Sequence, residues 1–168
     1  MAIVAAITVP QLLVGMDRAR AVAASRYLAQ QCGVARFQAV ARARYVALRF
    51  TPTDDEYVTQ MFMDGNRNGV TASDIAGDID AAVSPPERLS ASFPGVRIDL
   101  DPALGLGADP VRLSGSTLLS FSPEGTATAG TVYVLGRDGS QLAIRVLGVT
   151  GRTRIVRYER ATRSWVQL

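Results

Sequence analysis

The stretch Asp64-Gly65-Asn66-Arg67-Asn68-Gly69-Val70 sets oxygen-bearing side chains at alternate positions and a glycine at the sixth. An EF-hand-like loop wraps calcium with this spacing. Its ligands here are expected to be Asp64, Asn66, Asn68, the Val70 carbonyl and Asp74. Ile75 stands where a bidentate glutamate belongs, so two carboxylates alone imply modest affinity. The same residues also read as a set of Asx turns, with Asp64 and Asn66 bonding to the backbone and Gly69 supplying a positive φ.

A second cluster lies in GRTRIVRYERATRSWVQL, where Arg152, Arg154, Arg157, Arg160 and Arg163 are offset only by Glu159. In a strand, Arg152 and Arg154 project to one face, a geometry suited to bidentate phosphate contacts. Tyr158 and Trp165 add rings on which unpaired bases can stack. Arg152, Arg154 and Arg157 are therefore the candidate nucleic-acid contacts, with DNA as the partner. The alternatives are a solvated edge, or a contact with the acidic middle region of a neighbouring subunit.

The remaining chemistry is mostly excluded. The 168 residues carry 18 basic and 15 acidic side chains, all the basic ones arginine, with no histidine. Without histidine there is no Ser-His-Asp or Cys-His pair and no His-bearing metal site. Without lysine there is no Schiff base and no phosphate loop ending in Gly-Lys-Ser/Thr. No spacing sets two carboxylates across a cleft for glycoside hydrolysis. The single cysteine, Cys32, cannot form an internal disulfide and reads as a small apolar core residue. The chain is expected not to be an enzyme. Charge is unevenly distributed: seven arginines against Asp17 in residues 1–50, three against eleven acids in 51–110, and eight against three in 111–168.

These residues must be positioned by a long helix and a sheet. Residues 1–16 have no charged side chain, yet sixteen helical residues reach only about 24 Å, short of a bilayer core. With Pro10 producing a kink, the helix continues to about Arg44 through a run rich in Ala, Arg, Leu and Gln. Ala21, Ala24, Leu28, Cys32, Ala35 and Ala39 recur at three- and four-residue steps and form its buried face. Strands are expected at 45–50, 57–63, 96–100, 117–122, 131–136, 141–149 and 152–158, with a hairpin turn at Arg137-Asp138-Gly139-Ser140. Residues 64–92 read as an acidic insertion. The division is a helix at 1–44, apolar over 1–16 and amphipathic over 17–44, and a β-rich domain at 45–168. A helix whose first half is apolar on every side must meet lipid or other helices. Ile3, Ile7, Pro10, Leu13 and Val14 are the candidate assembly residues.

An apolar helix start with a proline near its middle, followed by YVALRF, resembles type IV pilins and type II secretion pseudopilins. FMDGNRNG at 62–69, FSPEG at 121–125 and GRTR at 151–154 narrow the resemblance to the GspH/FimT minor-subunit family, over nearly the whole chain. The resemblance implies a pilin-like α+β fold, a long amino-terminal helix packed on an antiparallel sheet in a two-sheet globular domain. It implies a non-enzymatic minor pseudopilin of a type II secretion system, a subunit of the periplasmic pseudopilus and its tip. Its partners are then other pilin or pseudopilin subunits and inner-membrane lipid, with the globular domain in the periplasm.

Family members begin, after prepilin peptidase cleavage, with a Phe-Thr-Leu-Ile-Glu type sequence that has no counterpart here. The chain as given is expected to escape the peptidase. A full-length form, with the peptidase as partner, would restore about 28 mostly apolar residues, enough to span a bilayer. The alternative function is a FimT-like minor pilin whose Gly-Arg-x-Arg hairpin binds DNA for natural transformation. Adhesion through residues 64–92 is a third.

Overall fold

The computed structural model describes residues 3–168, with side chains from Gly15 onward. Helix α1 spans Ile3–Arg42 without interruption at Pro10. The side chains of the assembly candidates Ile3, Ile7, Pro10, Leu13 and Val14 lie outside those described. Ala21, Ala24, Leu28, Cys32, Ala35 and Ala39 are all buried along one face. Four of the six are alanine, which lets the helix lie close to the strands beneath it. A Cβ at Gly136 would stand 2.9 Å from that of Ala21. The helix ends at Ala43, a non-glycine residue at φ 48°, where the amide of Arg44 bonds the Ala39 carbonyl at 3.2 Å.

Two antiparallel sheets sandwich a core with this helix. In the first, β1 (Val46–Pro52) pairs on one side with β2 (Tyr57–Met63) and on the other with β6 (Leu118–Phe121). The two-residue strands β3 (Ala81–Ala82) and β4 (Glu87–Arg88) sit on the outer edge of β2. The second sheet runs β10 (Ser164–Gln167), β9 (Arg152–Glu159), β8 (Gln141–Leu147), β7 (Gly130–Leu135), β5 (Val111–Arg112). Phe50, Leu119 and Phe121 from the first sheet meet Val132, Val134, Leu142, Ile144 and Val146 from the second, against α1. Full burial of each such side chain contributes about 1.5–3 kcal/mol. This is the α+β, pilin-like arrangement expected.

Three segments depart from the sequence expectation. Residues 96–100 form no strand. Val96, Ile98 and Leu100 are buried alternately, as a strand's would be, but backbone pairing is limited to an Arg97–Leu135 bridge. Buried Gln141 holds this segment instead. Its amide nitrogen donates to the Asp99 and Val134 carbonyls at 3.1 and 3.0 Å, and its oxygen accepts the Asp101 amide at 2.7 Å. The acidic insertion 64–92 is ordered. It contains the short helices α2 (Ala72–Ala76) and α3 (Leu89–Ser92) and covers the outer face of the first sheet, where Val70 packs on Ala47, Phe62 and Leu118. Strand β10 is additional.

The end of the molecule where α1 finishes, here the upper end, gathers Arg44, Asp64 and the turns before β9. The β1–β2 turn lies towards the opposite, lower end.

Candidate functional site

The FMDGNRNG loop is built around two buried carboxylates, Asp64 and Asp80, 1 % and 2 % exposed. Asp64 Oδ1 accepts the amides of Asn66 at 3.1 Å and Arg67 at 2.7 Å, and its Oδ2 accepts that of Gly69 at 3.1 Å. Asp80 accepts the amides of Gly65 and Thr71, both at 3.0 Å. Five backbone donors thus satisfy the two carboxylates, which makes their burial tolerable. From the helix end, Arg44 Nη1 donates to the carbonyls of Asp64 and Gly65 at 3.0 and 3.1 Å. Gly65 has no room for a side chain, since a Cβ there would fall 1.9 Å from the Ile79 carbonyl oxygen.

Of the five calcium candidates, Asp64, Asn66, Asn68 and Val70 lie on or beside this loop and Asp74 lies on α2, just after it. The Asn66 oxygen accepts the Asn68 amide at 3.3 Å, and the Asn66 amide nitrogen donates to Asp74 at 3.3 Å. Hydrogen bonds from Asn68 first, then Thr71 and Asn66, hold the Asp74 carboxyl below its usual range. A calcium ion needs six to eight oxygens facing one point. Here the side-chain oxygens of Asp64 and Asn66 face backbone N–H groups, and no three acidic or thiol side chains converge among the described residues. The hydrogen bonds are those of the Asx-turn alternative.

The other two motifs meet on the helix. Gly125 of FSPEG, at φ 84°, and Gly151 of GRTR, at φ 59°, form turns that close on Arg36. Arg36 Nε donates to the Gly125 carbonyl at 3.2 Å. A Cβ at Gly151 would stand 2.6 Å from that carbonyl and 2.9 Å from the Arg36 side chain. Both glycines therefore leave space for one guanidinium to tie α1 to two turns far apart in sequence. Arg36 and Arg44 are the residues that sequence reading missed. An arginine at each site gives no local signal, because the acceptors are carbonyls fixed only by the fold.

The candidate nucleic-acid residues are divided between faces. Arg152 and Arg154 are exposed on the outer face of the second sheet. Arg157, odd in register, points to the other face and pairs with Glu159 at 3.5 Å. The rings expected to stack on bases are occupied: Trp165 lies 5.8 Å from Tyr133 and 5.3 Å from Tyr158, with Arg145 5.5 Å above it. Trp165, Tyr133, Ala143 and Val156 form a small cluster with Leu100 and Leu106. Arg145, on the neighbouring strand, joins Arg154 instead.

The helix carries one further surface. Opposite its buried face, Val34, Phe37 and Val40 are 37 %, 72 % and 50 % exposed at three-residue steps. Cys32, by contrast, is buried, and desolvation raises its thiol to about 12, so it is inert at neutral pH.

The family model described as type II transport protein GspH matches residues 24–150, three quarters of the chain. No curated protein and no solved structure gives a significant match.

Proposed function

The chain belongs to the family of the type II transport protein GspH, the pseudopilins of type II secretion, and we propose that it acts as a minor structural subunit at the tip region of the periplasmic pseudopilus. The family is structural rather than enzymatic, and its members associate with other pseudopilus subunits. Family membership also implies an inner-membrane-anchored protein with a periplasmic domain. Among the described residues no helix is long and apolar enough to cross a membrane. The uncharged start of α1 is the segment assigned to meet the membrane or other helices.

One observation carries the reading: α1 is buried on one face only, and the opposite face presents Val34, Phe37 and Val40. An exposed phenylalanine between two valines on a helix face is out of place on a solitary domain. It suits a helix that packs against others when subunits repeat by a non-closing contact. The mechanism is mechanical, with the helix holding the subunit in the filament and the β domain presenting lateral surfaces to its neighbours. Deleting the gene in the host tests this. Substrates of the type II system are expected to accumulate in the periplasm, with export restored by the full chain; unchanged export contradicts the reading.

The DNA-uptake alternative rests on Arg152 and Arg154, now without Arg157 and without free stacking rings. A mobility-shift titration at several salt concentrations, with Arg152→Ala/Arg154→Ala as comparison, tests it. Equal weak binding by both chains counts against specific capture.

A further inference from the structure

The lower end of the domain has a hollow of about 290 Å³ between α1, the β7–β8 turn and the end of β9. Three arginines from separate stretches line it: Arg18 from α1, Arg157 from β9, and Arg160 just beyond that strand. Two carboxylates, Asp138 and Glu159, line it as well, and both are engaged by near neighbours. Asp138 Oδ1 accepts the Ser140 amide at 3.1 Å and hydroxyl at 2.6 Å, and Glu159 pairs with Arg157 at 3.5 Å. Arg160 makes both of its contacts, to Asp101 and to the Gly139 carbonyl, through one nitrogen, Nη2. Its Nε and Nη1 keep donors for a ligand. Arg18 is exposed at the rim.

Position along α1 sets this hollow apart from the other basic surface of the domain. Residues 1–16 carry no charged side chain, and Arg18 stands two residues after them, about 3 Å along the helix axis. On the pseudopilin reading, which this inference deepens and rests on, that uncharged start lies in the bilayer. The hollow then stands at the level of the lipid headgroups. A long arginine beside an apolar helix segment extends its guanidinium to that level. Tyr158, which also lines the hollow, is a residue type favoured at the membrane–water boundary.

We propose that this hollow holds the phosphate of an anionic phospholipid, with Arg18, Arg157 and Arg160 as its donors, and so seats the domain against the membrane around α1. The guanidinium fork matches phosphate oxygens bidentately, and basic hollows beside a membrane helix take anionic headgroups. Lipid is favoured over nucleic acid because the hollow adjoins the uncharged segment, whereas Arg152 and Arg154 lie towards the opposite end of β9. The contact is open to water and exchangeable. It orients the subunit in the membrane without opposing its transfer into a filament.

The test follows thermal unfolding of the full chain in neutral detergent micelles with added lipid. Phosphatidylglycerol at saturating amounts is expected to raise Tm by about 3–5 °C, since a ligand of the native state stabilises it. Phosphatidylcholine is expected to leave Tm unchanged. Arg18→Gln/Arg157→Gln, confirmed folded by circular dichroism, is expected to lose most of the rise. Arg18→Gln alone, at an exposed helix position, keeps the fold and is expected to lose about half of the rise. Arg152→Gln/Arg154→Gln, which removes the same charge from the other end of β9, is expected to retain it.

No rise with phosphatidylglycerol, an equal rise with phosphatidylcholine, or an equal loss in both double variants overturns the proposal. So does the same rise from inorganic phosphate, which would make the hollow a soluble-anion site. Wild-type binding of a labelled oligonucleotide that Arg18→Gln/Arg157→Gln abolishes would make it a nucleic-acid site and overturns the proposal too. Export in the gene-deletion strain separates the two levels. A chain with no lipid effect that still restores export loses this contact and keeps the pseudopilin reading, whereas a chain that does not restore export contradicts that reading.

Discussion

The FMDGNRNG loop and the outer-face arginines of the second sheet handle charge in opposite ways. In the loop, Asp64 and Asp80 are withdrawn from water and satisfied by five backbone amides. On the sheet, Arg145, Arg152 and Arg154 remain in water with no carboxylate among the described residues to pair with. A self-satisfied cluster contributes to the fold and has little capacity left for a ligand. Arginines left in water keep that capacity. The compact sequence motif therefore belongs to the architecture, and surfaces with binding potential are assembled from residues far apart in sequence.

The largest effects should come from breaking the closed loop. Asp64→Ala leaves three backbone donors without their acceptor and is expected to cost about 3–5 kcal/mol in chemical denaturation, with Asp64→Asn losing less. Gly65→Ala should be comparably severe, because its Cβ cannot coexist with the Ile79 carbonyl. Calcium at millimolar concentration is expected to give neither calorimetric heat nor a rise in Tm. A clear rise would restore the cage reading of Asp64, Asn66, Asn68, Val70 and Asp74.

Next comes the junction of the two other motifs. Gly151→Ala combines a positive φ with a clash against Gly125 and Arg36, and is expected to destabilise by about 2–3 kcal/mol. Arg36→Ala, losing one hydrogen bond and its packing, should cost about 1 kcal/mol. Cys32 reports on the same helix docking. Its raised folded value favours the neutral thiol, so the stability it confers is complete below the usual thiol range and declines as pH rises towards about 12. Alkylation at pH 8 is expected only as fast as the whole domain unfolds, and rapid labelling of the native chain would contradict this packing.

The smallest effect has the opposite sign. Arg154→Gln removes a like-charge neighbour of Arg145 and is expected to raise stability by at most about 0.5 kcal/mol. A loss of stability there would mean that these arginines are satisfied internally after all.

Legibility in the sequence followed the range of the interactions involved. The buried helix face was readable from its spacing because a helix turns every 3.6 residues whatever it packs on. Six strands were readable from β-branched and aromatic runs. The segment 96–100 alternates correctly yet pairs at a single bridge, because its backbone is taken by Gln141, some forty residues later. Arg36 and Arg44 bond to carbonyls fixed by distant turns. The outer-face arginines depend on register, which places Arg145 beside Arg154 and turns Arg157 away, and no single strand contains that information. The motif residues Gly65, Gly125 and Gly151 were visible in sequence, but their role as spaces for Ile79 and Arg36 was not.

Assembly through the open face of α1 is most directly tested by purifying the tagged full chain from solubilised host membranes, alongside a Val34→Asp/Phe37→Arg variant. The wild type is expected to bring down other pseudopilin subunits. The variant, whose buried helix face is untouched, should fold equally well and lose most of them. A wild-type chain that purifies alone, or a variant that retains every partner, would contradict the account.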